Sequence, residues 1–147
     1  MLKGIPKILS PELLKILAEM GHSDRLVIAD GNFPAESMGK NAIVIRCDGH
    51  GVPELLDAIL QVFPLDTYVE KPVNLMEVMP GDQVETPIWD TYKEIIKKHD
   101  NRGDKVIDTI ERFAFYEEAK TAYAIIATGE SAVYANVMLQ KGVVITE

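Results

Sequence analysis

The chain has 147 residues, 47% of them hydrophobic, and its 23 Asp and Glu against 15 Lys and Arg leave a formal charge of −8. That length and apolar content suffice for one domain with its own core, which excludes a disordered tail and a disulfide-stapled miniprotein. The acidity repels a phosphate backbone, and no apolar run approaches the ~20 residues a membrane helix needs, so neither nucleic acid nor membrane is an expected partner.

No internal repeat, low-complexity tract or linker interrupts the chain, so residues 1–147 are expected to form a single domain. The opening MLKGIPKILSPELL lacks a long apolar stretch, and no signal peptide is expected. Cys47 is the one cysteine, cannot form an internal disulfide, and fits a reducing cytoplasm. Ser10 is placed to cap a first helix that Pro11 opens. Leu13, Leu14, Leu17 and Met20 recur on one face of it, and Gly21 is the expected left-handed stop. Arg25 to Ala29 and Ala42 to Arg46 read as strands. Pro53 opens a helix through Phe63, with Leu55, Leu56, Ile59, Leu60 and Phe63 as its stripe. Val73 to Met79 reads as a strand, and Thr86-Pro87 repeats the cap-then-proline signal for a helix through about Lys98. A short strand over Val106 to Ile110 and a helix over Phe113 to Lys120 follow. Two strands, Ala122 to Ala127 and Tyr134 to Leu139, close the chain around a turn at Gly129. This alternation predicts an α/β fold, a three-layer α/β/α sandwich. The short link between the last two strands predicts that they pair antiparallel and make the sheet mixed.

No G-x-G-x-x-G, P-loop, H-E-x-x-H or G-x-S-x-G motif is present. His22, His50 and His99 are scattered, and Cys47 near His50 does not make a closed ligand set, so no metal is expected. His22 follows the helix-ending glycine in G-H-S-D, where an imidazole is either an acid–base group displayed at an element end or a partner for the helix carboxyl end. Asp30 precedes the turn-like G-N-F-P and either binds ligand hydroxyls or makes an Asx-turn. An extended chain would hold His22 and Asp30 up to roughly 26 Å apart, so sharing a pocket requires a fold-back or an interface between copies. Tyr134 and Asn136, spaced i, i+2 in the last expected strand, share a face and suit sugar hydroxyls, or else form the polar outer face of an edge strand. Arg112 could fork to ligand oxygens or pair with Glu111. Trp89, Tyr92 and Tyr68 could stack on a sugar, although Trp89 lies on a helix with Ile88, Tyr92 and Ile95 and better suits packing.

Residue strings carry the reading further. SPELLKILAEMGHSDRLVIADGNFPAESMG closely resembles the opening of L-fucose mutarotases, a family related to D-ribose pyranases. The resemblance continues, in order, through IRCDGHGVPELLDAIL, PLDTYVEKP, IERFAFYEEAKTAYAIIATGE and YANVMLQKGV. It implies interconversion of α and β sugar anomers with no cofactor and no metal. His22 then matches the proton donor, and Asp30, Arg112 and Asn136 match substrate contacts. Tyr134 matches a group that binds substrate and relays a proton. R-F-A-F-Y resembles the fucose branch rather than the ribose one, while His50 in G-H-G and Glu36 in F-P-A-E-S depart from the family pattern. The resemblance further implies a homo-oligomeric ring, often a decamer, with sites between neighbours. The alternatives are a D-ribose pyranase and a non-catalytic monosaccharide-binding protein.

Overall fold

Ser10 and Pro11 start the first helix where the cap signal puts it. A computed structural model describes residues 1–146. Ser10 Oγ accepts the Leu13 N–H at 3.2 Å, and Pro11 opens α1 (Pro11–Glu19), which buries Leu13, Ile16 and Leu17. Gly21 does not supply the left-handed stop. Met20 leaves the helix in an extended conformation, and the positive φ falls at Ser23, at 72°. The reason is local: Asp24 Oδ2 accepts the Gly21 N–H at 2.7 Å, and the Asp24 N–H reaches the Gly21 carbonyl at 3.2 Å. A tight turn from Gly21 to Asp24 replaces a glycine cap and holds His22 at its corner.

The strands β1 (Arg25–Ala29), β2 (Ile43–Cys47), β3 (Val73–Met76), β4 (Ile107–Ile110), β5 (Ala124–Thr128) and β6 (Val137–Gln140) form a six-stranded sheet in the order β2-β5-β1-β6-β3-β4. β6 runs antiparallel to both its neighbours, β1 and β3, and the remaining pairs are parallel. The sheet is mixed as expected, but β5 and β6 do not pair, because β1 lies between them. Leu26 to Ala29 are buried without a polar break, and a strand apolar on both faces is most stable at the centre of a sheet. The Gly129–Asn136 connection steps across it, and strands lie only ~4.8 Å apart. The last strand also starts later than expected, at Val137, so Tyr134 and Asn136 lie in that connection and not on a strand face.

Alternation along β1 sends Leu26 and Ile28 to one core and Val27 and Ala29 to the other. The first core is covered by α1, α3 (Val52–Leu60) and α4 (Pro87–His99), the second by α2 (Ala35–Met38) and α5 (Arg112–Lys120). This is the expected three-layer α/β/α sandwich, in which each fully buried Leu or Ile contributes about 1.5–3 kcal/mol. The four-residue α2 was not anticipated, being too short to display a helical period. Thr86 precedes Pro87 but makes no capping bond; its ψ of 63° lies outside the extended region a capping residue adopts.

Every strand except β6 points the same way. The sheet therefore has a carboxyl edge, where β1 to β5 end and β6 begins, and an opposite amino edge. At the carboxyl edge a Cβ on Gly129 would overlap the Asp48 carbonyl oxygen, so glycine lets the loop after β5 pass the loop after β2.

Candidate functional site

A pocket of about 180 Å³ opens at the carboxyl edge, where ligands of open α/β sheets gather. Asp30 leaves the end of β1 into it, Arg112 enters from the start of α5, and Tyr134 and Asn136 come from the connection before β6. Met76, Phe33 and Tyr116 supply apolar wall.

Asp30 is 5% exposed. Its Oδ1 accepts the Asn32 N–H at 3.0 Å, the expected Asx-turn, and its Oδ2 accepts the Ala135 N–H at 3.2 Å. The turn does not withdraw Asp30 from the pocket, since the same residue makes the turn and lines the pocket wall. Burial pushes the Asp30 carboxyl above its ordinary range, and the backbone donors hold it back in part. Asn136 Oδ1 accepts the Asp30 N–H at 2.7 Å, which leaves the amide NH₂ as the group it can offer a ligand.

Tyr134 sits at φ 52°, a left-handed conformation costly for a bulky residue. The helix α4 fixes it. Trp89 Nε1 donates to the Tyr134 carbonyl at 2.7 Å, and Tyr92, fully buried, donates to the Ala135 carbonyl at 2.6 Å. Trp89 thus holds the site's backbone. The Tyr134 hydroxyl donates to Asp82 Oδ2 and accepts the Met79 N–H at 3.3 Å. Its hydrogen bond to the Asp82 carboxylate raises the phenol above its ordinary value.

Arg112 is not paired with Glu111. Glu111 instead caps α5, accepting the Phe113 and Ala114 N–H groups at 3.0 Å each. Arg112 Nε donates to the Tyr116 hydroxyl at 3.1 Å, and its guanidinium lies 5.4 Å from the Tyr116 ring centre. Its Nη1 donates to the Met79 thioether sulfur at 3.3 Å, a weak acceptor. Among the described residues no carboxylate lies within ion-pair distance of Arg112, which leaves its charge and Nη2 for a ligand.

His22 is elsewhere. It sits before β1, at the amino edge, while Asp30 sits after it; a five-residue strand alone spans about 17 Å. No fold-back brings the two together. His22 does not serve the end of α1 either, because Lys141 Nζ meets the Leu17 carbonyl there at 2.9 Å. Its Nε2 lies 3.1 Å from Asp66 Oδ1, its ring lies 5.0 Å from that of Tyr68, and its side chain is 43% exposed. Asp66 is buried, which opposes its charge. Donation from the Tyr68 N–H at 2.9 Å, from Gln140 Nε2 at 3.0 Å and from His22 outweighs this and holds the carboxyl below its ordinary range. Arg102 reaches the Asp66 carbonyl at 3.2 Å and chelates Asp100, pinning the loop that carries Asp66.

Sequence reasoning missed Asp66 and Asp82. Both stand in irregular segments, L-D-T and P-G-D, where no periodicity or motif marks a carboxylate as a partner. His50 bonds Glu54 at 3.1 Å, and among the described residues no cluster of His, Cys, Asp and Glu is arranged to hold a metal.

A model of the RbsD / FucU transport protein family matches residues 3–144. Fucose mutarotase of Danio rerio is 51% identical over 147 residues, covering 97% of this chain and 94% of that protein. The crystal structure of FucU from Bifidobacterium longum superimposes with a TM-score of 0.96 at 71% identity, covering 97% of this chain and all of that one (100%). The fucose mutarotase of Streptococcus pneumoniae, solved in complex with L-fucose, matches with a TM-score of 0.92 at 50% identity, covering 98% of this chain and 100% of that one.

Proposed function

The chain belongs to the RbsD / FucU family, and from that premise we propose that it is a carbohydrate isomerase that interconverts the α and β anomers of L-fucose. One observation carries the reading: Asp30, Arg112, Tyr134 and Asn136 converge on a single pocket. They do so in a chain 51% and 50% identical, over nearly its whole length, to proteins that are fucose mutarotases.

Mutarotation opens the hemiacetal, turns the aldehyde and recloses the ring. Opening needs a base for the anomeric O–H and an acid for the ring oxygen. Reactant and product differ at one stereocentre, so the chemistry is proton transfer coupled to breaking and re-forming one C–O bond, with no net redox change, and calls for no cofactor. Asp30, Arg112 and Asn136 fix the pyranose, the carboxylate accepting from hydroxyls and the guanidinium fork and amide donating to them. Tyr134 and His22 move the protons. Asp66 orients the His22 imidazole, as a carboxylate sets the orientation of a reactive ring.

In this reading the chain acts as one domain and His22 reaches the pocket from a second copy. The amino and carboxyl edges both support such a contact. Tyr68 is 75% exposed beside His22, and Phe113 is 57% exposed next to Arg112. Joining one edge to the other is a head-to-tail contact, which gives a ring when the rotation between copies closes and a filament when it does not; a homo-oligomeric ring, as in a decamer, is the assembly we propose. The reducing cytoplasm suits its free Cys47. No helix among the described residues is long and apolar enough to cross a membrane.

NMR saturation transfer between anomers tests the function. The protein is expected to accelerate α/β exchange of L-fucose above the buffer rate and above its effect on D-ribose. Faster exchange of ribose would move the reading to a pyranase. Tight fucose binding at the buffer exchange rate would make it a non-catalytic sugar-binding protein.

A further inference from the structure

The segment between β3 and α4 reaches the pocket through Tyr134. Asp82, on that segment, accepts the hydrogen of the Tyr134 hydroxyl, and the Met79 N–H donates to the same oxygen at 3.3 Å. The phenol's one hydrogen is therefore committed to a carboxylate and one lone pair to a backbone amide. What remains is a single acceptor position. An atom that can only accept meets a hydroxyl that donates. Of the two oxygens that exchange protons in ring opening, the anomeric one carries a hydrogen and the ring oxygen does not, so the anomeric O–H is the one this position can serve.

A phenol with an ordinary pKa near ~10 is a poor source of base near neutrality. It becomes one when its own proton leaves as another arrives. We propose that Asp82 is the positioning residue that makes Tyr134 the base for the anomeric hydroxyl, by taking the phenol's proton during ring opening. The step balances. The anomeric O–H bond breaks and its proton passes to Tyr134 Oη; the Tyr134 O–H bond breaks and its proton passes to Asp82 Oδ2. The electron pair left on the anomeric oxygen forms the aldehyde C=O. The bond from the anomeric carbon to the ring oxygen breaks, and that oxygen takes its proton from the acid of the site, His22. Closure on either face of the aldehyde reverses each transfer. The Tyr134 phenol is raised by its bond to Asp82, and Arg112 opposes that rise from across the pocket, consistent with a phenol that stays protonated until its proton has a destination. The inference rests on the mutarotase reading of the pocket.

The test compares Asp82→Asn, Asp82→Glu, Tyr134→Phe and the Asp82→Asn/Tyr134→Phe double variant in the L-fucose exchange assay. Asp82 is exposed, so the variants are expected to fold. Asp82→Asn should lower kcat by about 10²–10⁴-fold, the range for losing a general base, with KM little changed. Asp82→Glu should recover most of the loss, and the double variant should be no slower than Tyr134→Phe. The ultraviolet titration of Tyr134, read as each chain minus its Tyr134→Phe form, should move to lower pH in Asp82→Asn. An Asp82→Asn kcat within about twofold of an active parent, or losses that multiply in the double variant, would overturn this step alone. A parent chain that leaves fucose at its buffer exchange rate would overturn the mutarotase reading, and this step with it.

Discussion

A buried carboxylate with three donors around it is a commitment at the scale of one residue, and Asp66 is such a group. Its side chain binds the Tyr68 N–H, Gln140 and His22 at once. Because its native pKa lies below the unfolded value near ~3.9, the stabilisation it gives is full above that value and is lost as pH falls toward the native one. Asp66→Asn is expected to remove that acid-range loss, read as a flatter fall of the urea midpoint with decreasing pH. It should also cost about 1–3 kcal/mol near neutrality, where an amide NH₂ meets groups that themselves donate. The same variant should lower kcat for fucose exchange about tenfold or more, since the His22 ring loses its orienting partner. Residue types were legible in the sequence where one residue's chemistry suffices, as in the Asx-turn at Asp30. Partnerships such as His22 with Asp66, 44 positions apart, were not, because no local signal encodes them.

At the scale of elements, legibility followed the strength of the local signal. Ser10 before Pro11 caps α1 as the sequence predicts, whereas the same pattern at Thr86 yields no side-chain cap because the backbone there is not extended. Ser10→Ala should therefore cost about 1 kcal/mol in urea denaturation while leaving kcat for fucose unchanged, because Ser10 touches neither the pocket nor His22. Tyr134 and Asn136 carry a different lesson. They were expected to share a face through strand alternation, and they do line one pocket, yet neither is in a strand. Tyr134 is aimed by a left-handed backbone that Trp89 and Tyr92 secure from α4, a tertiary effect that a period-two pattern cannot express. The pairing of β5 with β6 failed similarly, since a short connection argued for adjacency and the burial of β1 on both faces overrode it.

At the scale of the molecule, the sheet separates two groups of candidate residues, which the proposed function treats as half-sites. The carboxyl edge holds Asp30, Arg112, Tyr134 and Asn136, and the amino edge holds His22 with Asp66 and Tyr68. The spacing of His22 and Asp30 along the chain already posed this problem, and the uninterrupted strand β1 removes the fold-back solution. Under the proposed function, His22 of one copy must therefore serve the pocket of another. Co-expressing His22→Ala and Arg112→Ala chains tests this directly, since each is inactive alone if both half-sites are needed. With equal amounts and random assembly, about one interface in four joins an intact His22 to an intact pocket. The L-fucose exchange rate of the mixed oligomer, measured by NMR saturation transfer, is expected to recover to about a quarter of the parent's. A mixed oligomer as inactive as its two parents, or a His22→Ala chain that keeps full exchange by itself, would contradict the account.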